Sequence, residues 1–269
     1  MRCSGLLSTA LCLGLACACA SSQSDAPPDD PADGIPDPPA SAGEVAAPPA
    51  SVNASGSVVA PAASASAATS PSPPAGPCPD DMVDVQVACI DRYEAPNEKG
   101  KKPILMQSSA DGEKWCAERG KRLCDEDEWV RACQGPKGQT YPYGNKFEPG
   151  RCNDDGVFRS VNWKLLGSWP SEAATREVEK LDQSNPSGQR EGCVSPEGVF
   201  DLTGNVAEWV VRTRKNETNY SHVVKGCFWG RCFRVPHEPA CDYVNFAHPA
   251  GFRSYEMGIR CCKARSAAP

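Results

Sequence analysis

The chain has 269 residues, of which 40% are hydrophobic and 23% charged, and its net charge is -6. Residues 21–77 hold six acids and no Lys, Arg, Cys or aromatic residue, so residues 78–269 are close to neutral. This balance excludes a broad basic field for nucleic acid and a strongly acidic surface for cationic partners.

The N-terminal segment 1–19 has the layout of a secretory signal. A basic start at Met1-Arg2 precedes an apolar run over 6–15 that is too short to span a bilayer as a mature helix. The small residues around Cys17 resemble a bacterial lipoprotein signal, in which that cysteine is lipidated. Plain secretion with cleavage near Ala20 and lipidation of Cys19 are the alternatives.

Residues 20–77 form an Ala/Pro/Ser-rich segment, with 39 such residues among the 57 from 21 to 77. It has too little apolar bulk to offset the entropy of ordering it, and its prolines favour extended conformations. We expect a disordered linker between a lipid anchor in the membrane and a folded domain at 78–269. This order of segments predicts an exported lipoprotein of the bacterial cell envelope, in the periplasm or on the outer membrane.

Twelve cysteines lie in the domain at 78–269. An even number in an exported domain indicates disulfides, although spacing alone leaves their connectivity open. The C-x2-C spacing of zinc ribbons is absent. Because Cys261 and Cys262 are adjacent, we expect each to bond a distant partner.

Two helices are predicted in the first half of the domain. The first covers 109–120, with Trp115, Cys116 and Arg119 at helical spacing and a glycine at the end. The second covers 125–135, where Asp125 and Glu128 have the spacing of a capping box.

Beyond Gly135 the chain is rich in turn residues, and its apolar runs at 199–202, 206–211 and 223–229 are short. The whole pattern predicts an α+β domain with two main helices, short strands, low regular secondary structure and many disulfides.

Several segments together resemble the formylglycine-generating enzyme family, also called the sulfatase-modifying-factor domain. They occur in the family's order and read CIDRYEAPN (89–97), GKRLCDEDEWVRACQG (120–135), YPYGN (141–145), GVFDLTGNVAEWV (198–210), VVKGCFWG (223–230) and GIRCC (258–262). The resemblance implies an irregular α+β fold, related to C-type lectin-like architecture, that commonly binds calcium.

The segment DLTGNVAEW predicts a calcium site. Asp201 and Glu208 bracket a Gly-Asn turn, so hard carboxylate oxygens can converge there with backbone carbonyls, which is the donor set that calcium needs. The resemblance implies that Gly204 and Val206 contribute those carbonyls. The alternative is a buried turn in which Asp201 and Glu208 accept hydrogen bonds from backbone or arginine.

The resemblance implies a second calcium site in part. Asn153 matches one of its ligands, and Asp154 would add its carbonyl. The remaining ligands have no match in this sequence.

Family enzymes that make formylglycine use two cysteines, separated by four residues, that hold copper and activate oxygen. Soft thiolates suit Cu(I), and Cys227 and Cys232 have this separation. Counted from Lys225-Gly226, however, the family's pair would fall on Gly230 and near Val235. The alternative is that Cys227 and Cys232 are joined in a disulfide.

Other branches of the superfamily are non-haem iron enzymes, which need two histidines and a carboxylate. The candidates are His237, Glu238 and His248, and His222 is the remaining histidine. Scattered histidines are more often surface residues or satisfied hydrogen-bond partners.

Two functions follow from these observations. In the first, the domain is a calcium-stabilised binding or structural module that holds a protein, peptide or glycan ligand at the cell envelope. In the second, it is a copper- or iron-dependent oxidoreductase acting on a peptide cysteine or small thiol, with Cys227 and Cys232 as catalytic residues.

Overall fold

A computed structural model describes residues 77–266, apart from 158, 216–217, 231 and 233–238. The predicted signal 1–19, Cys17 and nearly all of the linker 20–77 therefore lie outside the described residues. Within the described ranges, no helix has the length and apolar character required to cross a membrane.

The described residues form four helices and eight short strands. In order they are β1 (Met82–Asp84), β2 (Cys89–Asp91), α1 (Ser109–Ala117), β3 (Arg122–Leu123), α2 (Glu126–Gln134), α3 (Trp163–Leu166), α4 (Glu172–Leu181), β4 (Ala207–Val211), β5 (His222–Lys225), β6 (Val244–Asn245), β7 (Met257–Ile259) and β8 (Cys261–Lys263). The α+β fold class and the low content of regular structure are confirmed.

Both predicted helices are present, with small shifts at their ends. The N-cap of α1 is Ser108, whose hydroxyl accepts a hydrogen bond from the Asp111 amide at 3.2 Å, so the helix itself begins at Ser109. The capping box of Asp125 and Glu128 is confirmed at the start of α2, which ends at Gly135 with a φ of 63°.

The prediction of two main helices was wrong, because α4 is longer than either of them. Its N-cap is Ser171, and its buried face carries Ala174, Val178 and Leu181 at helical spacing. Val178 and Leu181 belong to one apolar cluster with Val206, next to the candidate site, and Trp229.

The strands form two four-stranded sheets, with the orders β1-β2-β8-β3 and β6-β5-β4-β7. In the second sheet, β4 pairs with β5 in antiparallel fashion and with β7 in parallel, with Glu208 opposite both Lys225 and Gly258. Glu208 is therefore on a central strand and is buried. This position points its carboxylate into the protein rather than into solvent.

All twelve cysteines of the domain are paired, which confirms the predicted disulfides. The pairs are Cys78–Cys89, Cys116–Cys261, Cys124–Cys262, Cys133–Cys241, Cys152–Cys193 and Cys227–Cys232. Each of the adjacent Cys261 and Cys262 bonds a distant partner, as expected. Three of the six bonds join residues more than 100 positions apart in the chain, so they replace part of the stabilisation that a larger apolar core would supply.

Candidate functional site

The predicted calcium loop, residues 201–206, is a turn of unusual backbone conformation. Asp201, Gly204 and Asn205 have φ values of 59°, 73° and 56°. At Gly204 a Cβ would lie 2.4 Å from the carbonyl oxygen of Asn153, so no larger residue fits without a shift of the backbone. The same carbonyl accepts a hydrogen bond from the Asn205 amide at 2.7 Å.

The Asn205 side chain links this loop to three other segments. Its Nδ2 donates to Glu94 Oε1 at 2.7 Å, and its Oδ1 accepts from Asn153 Nδ2 at 3.0 Å and from the Asn185 amide at 2.7 Å. Ser187 Oγ donates to the other oxygen of Glu94 at 2.6 Å. Asn153, predicted as part of a second site, therefore lies directly against the first loop.

Glu208 is held by a buried arginine at the far side of the same cluster. Arg260 donates through Nη2 to Glu208 Oε1 at 2.8 Å and through Nε to both carboxylate oxygens, and Trp129 Nε1 donates to Oε2 at 2.7 Å. Asp201 Oδ2 accepts from the Gly188 amide at 2.6 Å. These are the backbone and arginine contacts that the alternative to calcium binding anticipates.

The cluster nevertheless carries more negative than positive charge. Arg260 pairs with Glu208 and also interacts electrostatically with Glu94 and Asp201, and all four residues are buried. Burial and, to a smaller extent, the nearby charge of Asp201 together raise the pKa of Glu94 to about 8. Burial likewise raises the pKa of Asp201 to about 6, against the hydrogen bond from Gly188.

The net charge of this cluster favours a divalent cation. Three carboxylates and one guanidinium leave two negative charges uncompensated if all are ionised, which a divalent cation would balance. In the described part of the chain, no group of three or more His, Cys, Asp or Glu side chains is arranged to hold a metal. A calcium ion here would therefore take part of its coordination from backbone carbonyls, as predicted for Gly204 and Val206.

Asp154 does not join this cluster through its side chain. Its Oδ1 accepts from the Gly150 amide at 3.0 Å, while its buried Oδ2 has no hydrogen-bond partner among the described residues. Burial raises the pKa of this carboxyl. The second calcium site stays a prediction.

Cys227 and Cys232 are joined in a disulfide and both are buried. This is the alternative that the sequence left open for them. Because thiolates and not disulfides bind Cu(I), the predicted copper site requires this bond to be reduced first. Their catalytic role stays a prediction.

The two histidines that the structure describes, His222 and His248, each have a different partner. His237 and Glu238 lie outside the described residues. The His248 ring stacks on Phe252 with 3.9 Å between ring centroids, and burial lowers its pKa to about 4. His222 Nε2 is 3.1 Å from Glu113 Oε1 on α1.

The sequence did not single out two residues of the cluster, Glu94 and Arg260. Both were inside recognised segments, as a charged residue flanked by apolar ones: Tyr93 and Ala95 in one case, Ile259 and Cys261 in the other. A buried charge in such a setting needs a partner, and this rule could have linked the two segments.

The chain belongs to a family that matches these features. The family model described as "Sulfatase-modifying factor enzyme 1-like domain" matches residues 52–265, so the match begins inside the predicted linker. The protein is thus a member of the formylglycine-generating-enzyme-like family, as the sequence motifs predicted.

Two curated relatives are similar in sequence to part of this chain. The "Inactive C-alpha-formylglycine-generating enzyme 2" of Bos taurus is 34% identical over 137 residues, which cover 49% of this chain and 40% of the relative. The "Uncharacterized protein YfmG" of Bacillus subtilis (strain 168) is 28% identical over 167 residues, covering 54% of this chain and 32% of the relative. The chain spans less than half the length of these relatives.

Two solved structures match the chain with TM-scores below 0.5. CarF matches with a TM-score of 0.46 and 13% identity over 66% of this chain and 86% of its own. PvdO from Pseudomonas aeruginosa matches with a TM-score of 0.43 and 16% identity over 66% of this chain and 80% of its own. Similarity at this level carries no argument about function.

Proposed function

We propose that the protein is exported, is anchored by a lipid on Cys17, and uses its formylglycine-generating-enzyme-like domain as a calcium-stabilised binding or structural module at the bacterial cell envelope. The observation that carries this proposal is the buried cluster of Glu94, Asp201 and Glu208 around a single arginine. The ligand class is a protein, peptide or glycan.

In this proposal Asp201 and Glu208 hold the ion with the carbonyls of Gly204 and Val206. Calcium supplies the positive charge that the buried cluster lacks and fixes a turn with three left-handed residues. Arg260 orients Glu208, because both oxygens of that carboxylate accept hydrogen bonds from it. Glu94 adds negative charge and, through Asn205, ties the turn to the chain at 185–187.

Two further points support a binding role over catalysis. The cysteine pair with the family's separation is closed as a disulfide. In addition, the Bos taurus relative is named as an inactive enzyme.

Thermal unfolding of Asp201→Ala tests the calcium assignment. We expect its melting temperature to fall below that of the wild type in calcium and to differ little from it after calcium has been removed. Asp91→Ala is the matched control, because Asp91 is equally buried but pairs with Lys121 at 2.6 Å. It should lose stability equally in both conditions, and the same behaviour by Asp201→Ala would rule out the calcium site.

The second candidate function is the metal-dependent oxidoreductase, which the four-residue separation of Cys227 and Cys232 favours. Peptide mapping of the mature protein without reduction, with metal analysis, separates it from the binding module. Free thiols at both positions together with stoichiometric copper would replace our proposal by this one. A disulfide between them, without copper, supports the binding module.

The anchor has its own test. Cys17→Ser should release the protein from membranes into the soluble fraction. Retention on membranes would favour Cys19 or another means of attachment.

A further inference from the structure

The loop 201–206 is held between two disulfides. On one side is Cys152–Cys193: the Cys193 carbonyl accepts from the Asp201 amide at 3.0 Å, and Thr203 Oγ1 donates to Cys152 Sγ at 3.3 Å. The covalent bond therefore fixes the segment that carries the first predicted calcium ligand.

On the other side is the segment 226–229, which contains Cys227 of the Cys227–Cys232 bond. The Gly226 carbonyl accepts from the Gly204 amide at 2.7 Å, and the Trp229 amide donates to the Asn205 carbonyl at 3.1 Å. The backbone of the calcium loop is thus hydrogen-bonded to residues immediately before and after Cys227.

The two disulfides differ in what they constrain. Cys152 and Cys193 are 41 residues apart, whereas Cys227 and Cys232 are only 5 apart. A disulfide restricts the unfolded chain less as the loop that it closes becomes shorter, so the Cys227–Cys232 bond contributes least of the six to global stability. Its effect is mainly on the local conformation of the folded protein.

The conformation of Cys227 itself makes it dependent on this bond. Its φ is 59°, a left-handed value that is unfavourable for a residue with a Cβ unless the surroundings hold it there. Once the bond is open, the segment 226–229 can relax to an ordinary conformation, and its two hydrogen bonds to the calcium loop are then lost or weakened.

We propose that the Cys227–Cys232 disulfide is a redox control on the calcium affinity of the 201–206 loop. The closed disulfide holds segment 226–229 against the loop and so keeps the loop backbone in position, and reduction releases that backbone and weakens calcium binding. This inference rests on the calcium site proposed above.

The chemistry is thiol–disulfide exchange with a small dithiol. One thiolate of the reductant attacks a sulfur of the protein disulfide, and its second thiolate then displaces the remaining protein sulfur. The S–S bond of the protein is broken, both cysteines take up protons as thiols, and the reductant becomes the new disulfide. Linkage requires the reverse effect as well, so bound calcium must protect the Cys227–Cys232 bond from reduction.

The first experiment measures calcium affinity by titration calorimetry on the oxidised protein and on the double variant Cys227→Ser with Cys232→Ser. We expect the variant to bind calcium at least about tenfold more weakly. The control is the double variant Cys78→Ser with Cys89→Ser, which removes the other short-range disulfide, closing a separation of 11 residues. Its affinity should stay within about twofold of the wild type.

The second experiment needs no variant. The wild type is incubated with dithiothreitol, with and without calcium, and the reduction of each disulfide is followed by alkylation and peptide mapping. We expect calcium to slow reduction of Cys227–Cys232 by at least about fivefold and to leave Cys78–Cys89 unaffected.

The outcomes separate this inference from the proposed function. If the oxidised wild type binds calcium, but the double variant binds it equally well and calcium gives no protection, the redox control is overturned and the calcium site stands. If the oxidised wild type binds no calcium, the proposed function and the redox control both fail.

Discussion

Two buried charged regions lie close together in this protein, and they are built differently. In the first, Lys225 faces Glu126 at 4.0 Å, donates to the Asp242 carbonyl at 3.1 Å and lies 5.7 Å from the centre of the Trp129 ring. One positive charge meets one negative charge there. In the second, three carboxylates share one guanidinium. Both regions bury charged side chains, but only the candidate site has more negative than positive charge, and this imbalance distinguishes it from the region around Lys225.

Replacing the cation of each region with methionine should give the largest difference in the free energy of unfolding between the two regions. Arg260→Met, measured by urea unfolding without calcium, should lower the free energy of unfolding by about 3–5 kcal/mol, because it leaves three buried carboxylates unpaired. It also removes hydrogen bonds to the carbonyls of Asp91 and Phe200. Lys225→Met should lose less, about 1–3 kcal/mol, since burial lowers the pKa of Lys225 to about 8, which means that its charged form is less well stabilised in the folded protein than in water. Equal losses in the two variants would contradict the difference between the regions.

The pH dependence of stability is the next largest effect. Both Glu94 and Asp201 have pKa values raised above those of an unfolded chain, to about 8 and about 6. Their contribution to stability is therefore complete below about pH 4 and is lost as the pH rises, by about pH 6 for Asp201 and by about pH 8 for Glu94. Calcium-free protein should melt at least about 5 °C lower at pH 8.5 than at pH 5.5.

Calcium should flatten this dependence, because a bound cation favours the ionised carboxylates at the upper end of the range. The measurement is a set of thermal melts in buffers freed of metal and then repeated with added calcium. A calcium-free melting temperature that rises from pH 5.5 to 8.5 would contradict the uncompensated cluster.

The two buried glutamates should respond to neutralisation with opposite signs. Without calcium, at pH 8.5 where Glu94 is largely ionised, Glu94→Gln should raise the free energy of unfolding by about 1–2 kcal/mol, because it removes the cost of burying that charge and its repulsion with Asp201. Glu126→Gln should lower it by about 1 kcal/mol, because it removes the partner of Lys225. Calorimetric titration should then show weaker calcium binding only for Glu94→Gln. A loss of stability in both variants would place Glu94 among ordinary structural residues.

An exposed ion pair gives the baseline for these comparisons. Glu172 contacts Arg176 one turn along α4, and both side chains are largely exposed. Glu172→Gln should change the melting temperature by no more than about 1 °C, with or without calcium, because solvent screens such pairs. A calcium-dependent change here would show that the effects seen at the cluster are not specific to it.

Local signals predicted a good part of the fold. The capping box at Asp125 and the glycine at 135 mark the two ends of α2. Both signals lie within a short stretch of sequence, so this helix could be predicted without knowledge of its tertiary contacts. The same kind of signal was present for α4, where Ser171 precedes Ala174, Val178 and Leu181 at helical spacing, but five charged residues in ten obscured it.

Contacts between distant segments could not be predicted in this way. The parallel pairing of β4 with β7 joins Trp209 to Ile259, and the hydrogen bond from Asn205 to Glu94 joins residues 111 positions apart. Such contacts depend on how the whole chain packs, and no local pattern encodes them. For the same reason the presence of disulfides was predictable and their pairing was not.

For the candidate site, the sequence located the loop but not its electrostatics. Asp201 and Glu208 were identified from their spacing around a Gly-Asn turn. The sequence analysis did not place Glu94 and Arg260 in the cluster, because they come from segments at opposite ends of the domain and no local spacing relates them.

Calcium titration of the oxidised wild-type protein at pH 7, by calorimetry in two buffers with different ionisation enthalpies, tests the central claim most directly. We expect one calcium ion to bind in the loop 201–206 with release of protons, because at that pH Glu94, whose pKa is about 8, still holds its proton. Asp201→Ala should abolish this binding. The absence of calcium binding by the wild type, or binding that Asp201→Ala leaves unchanged, would contradict the account.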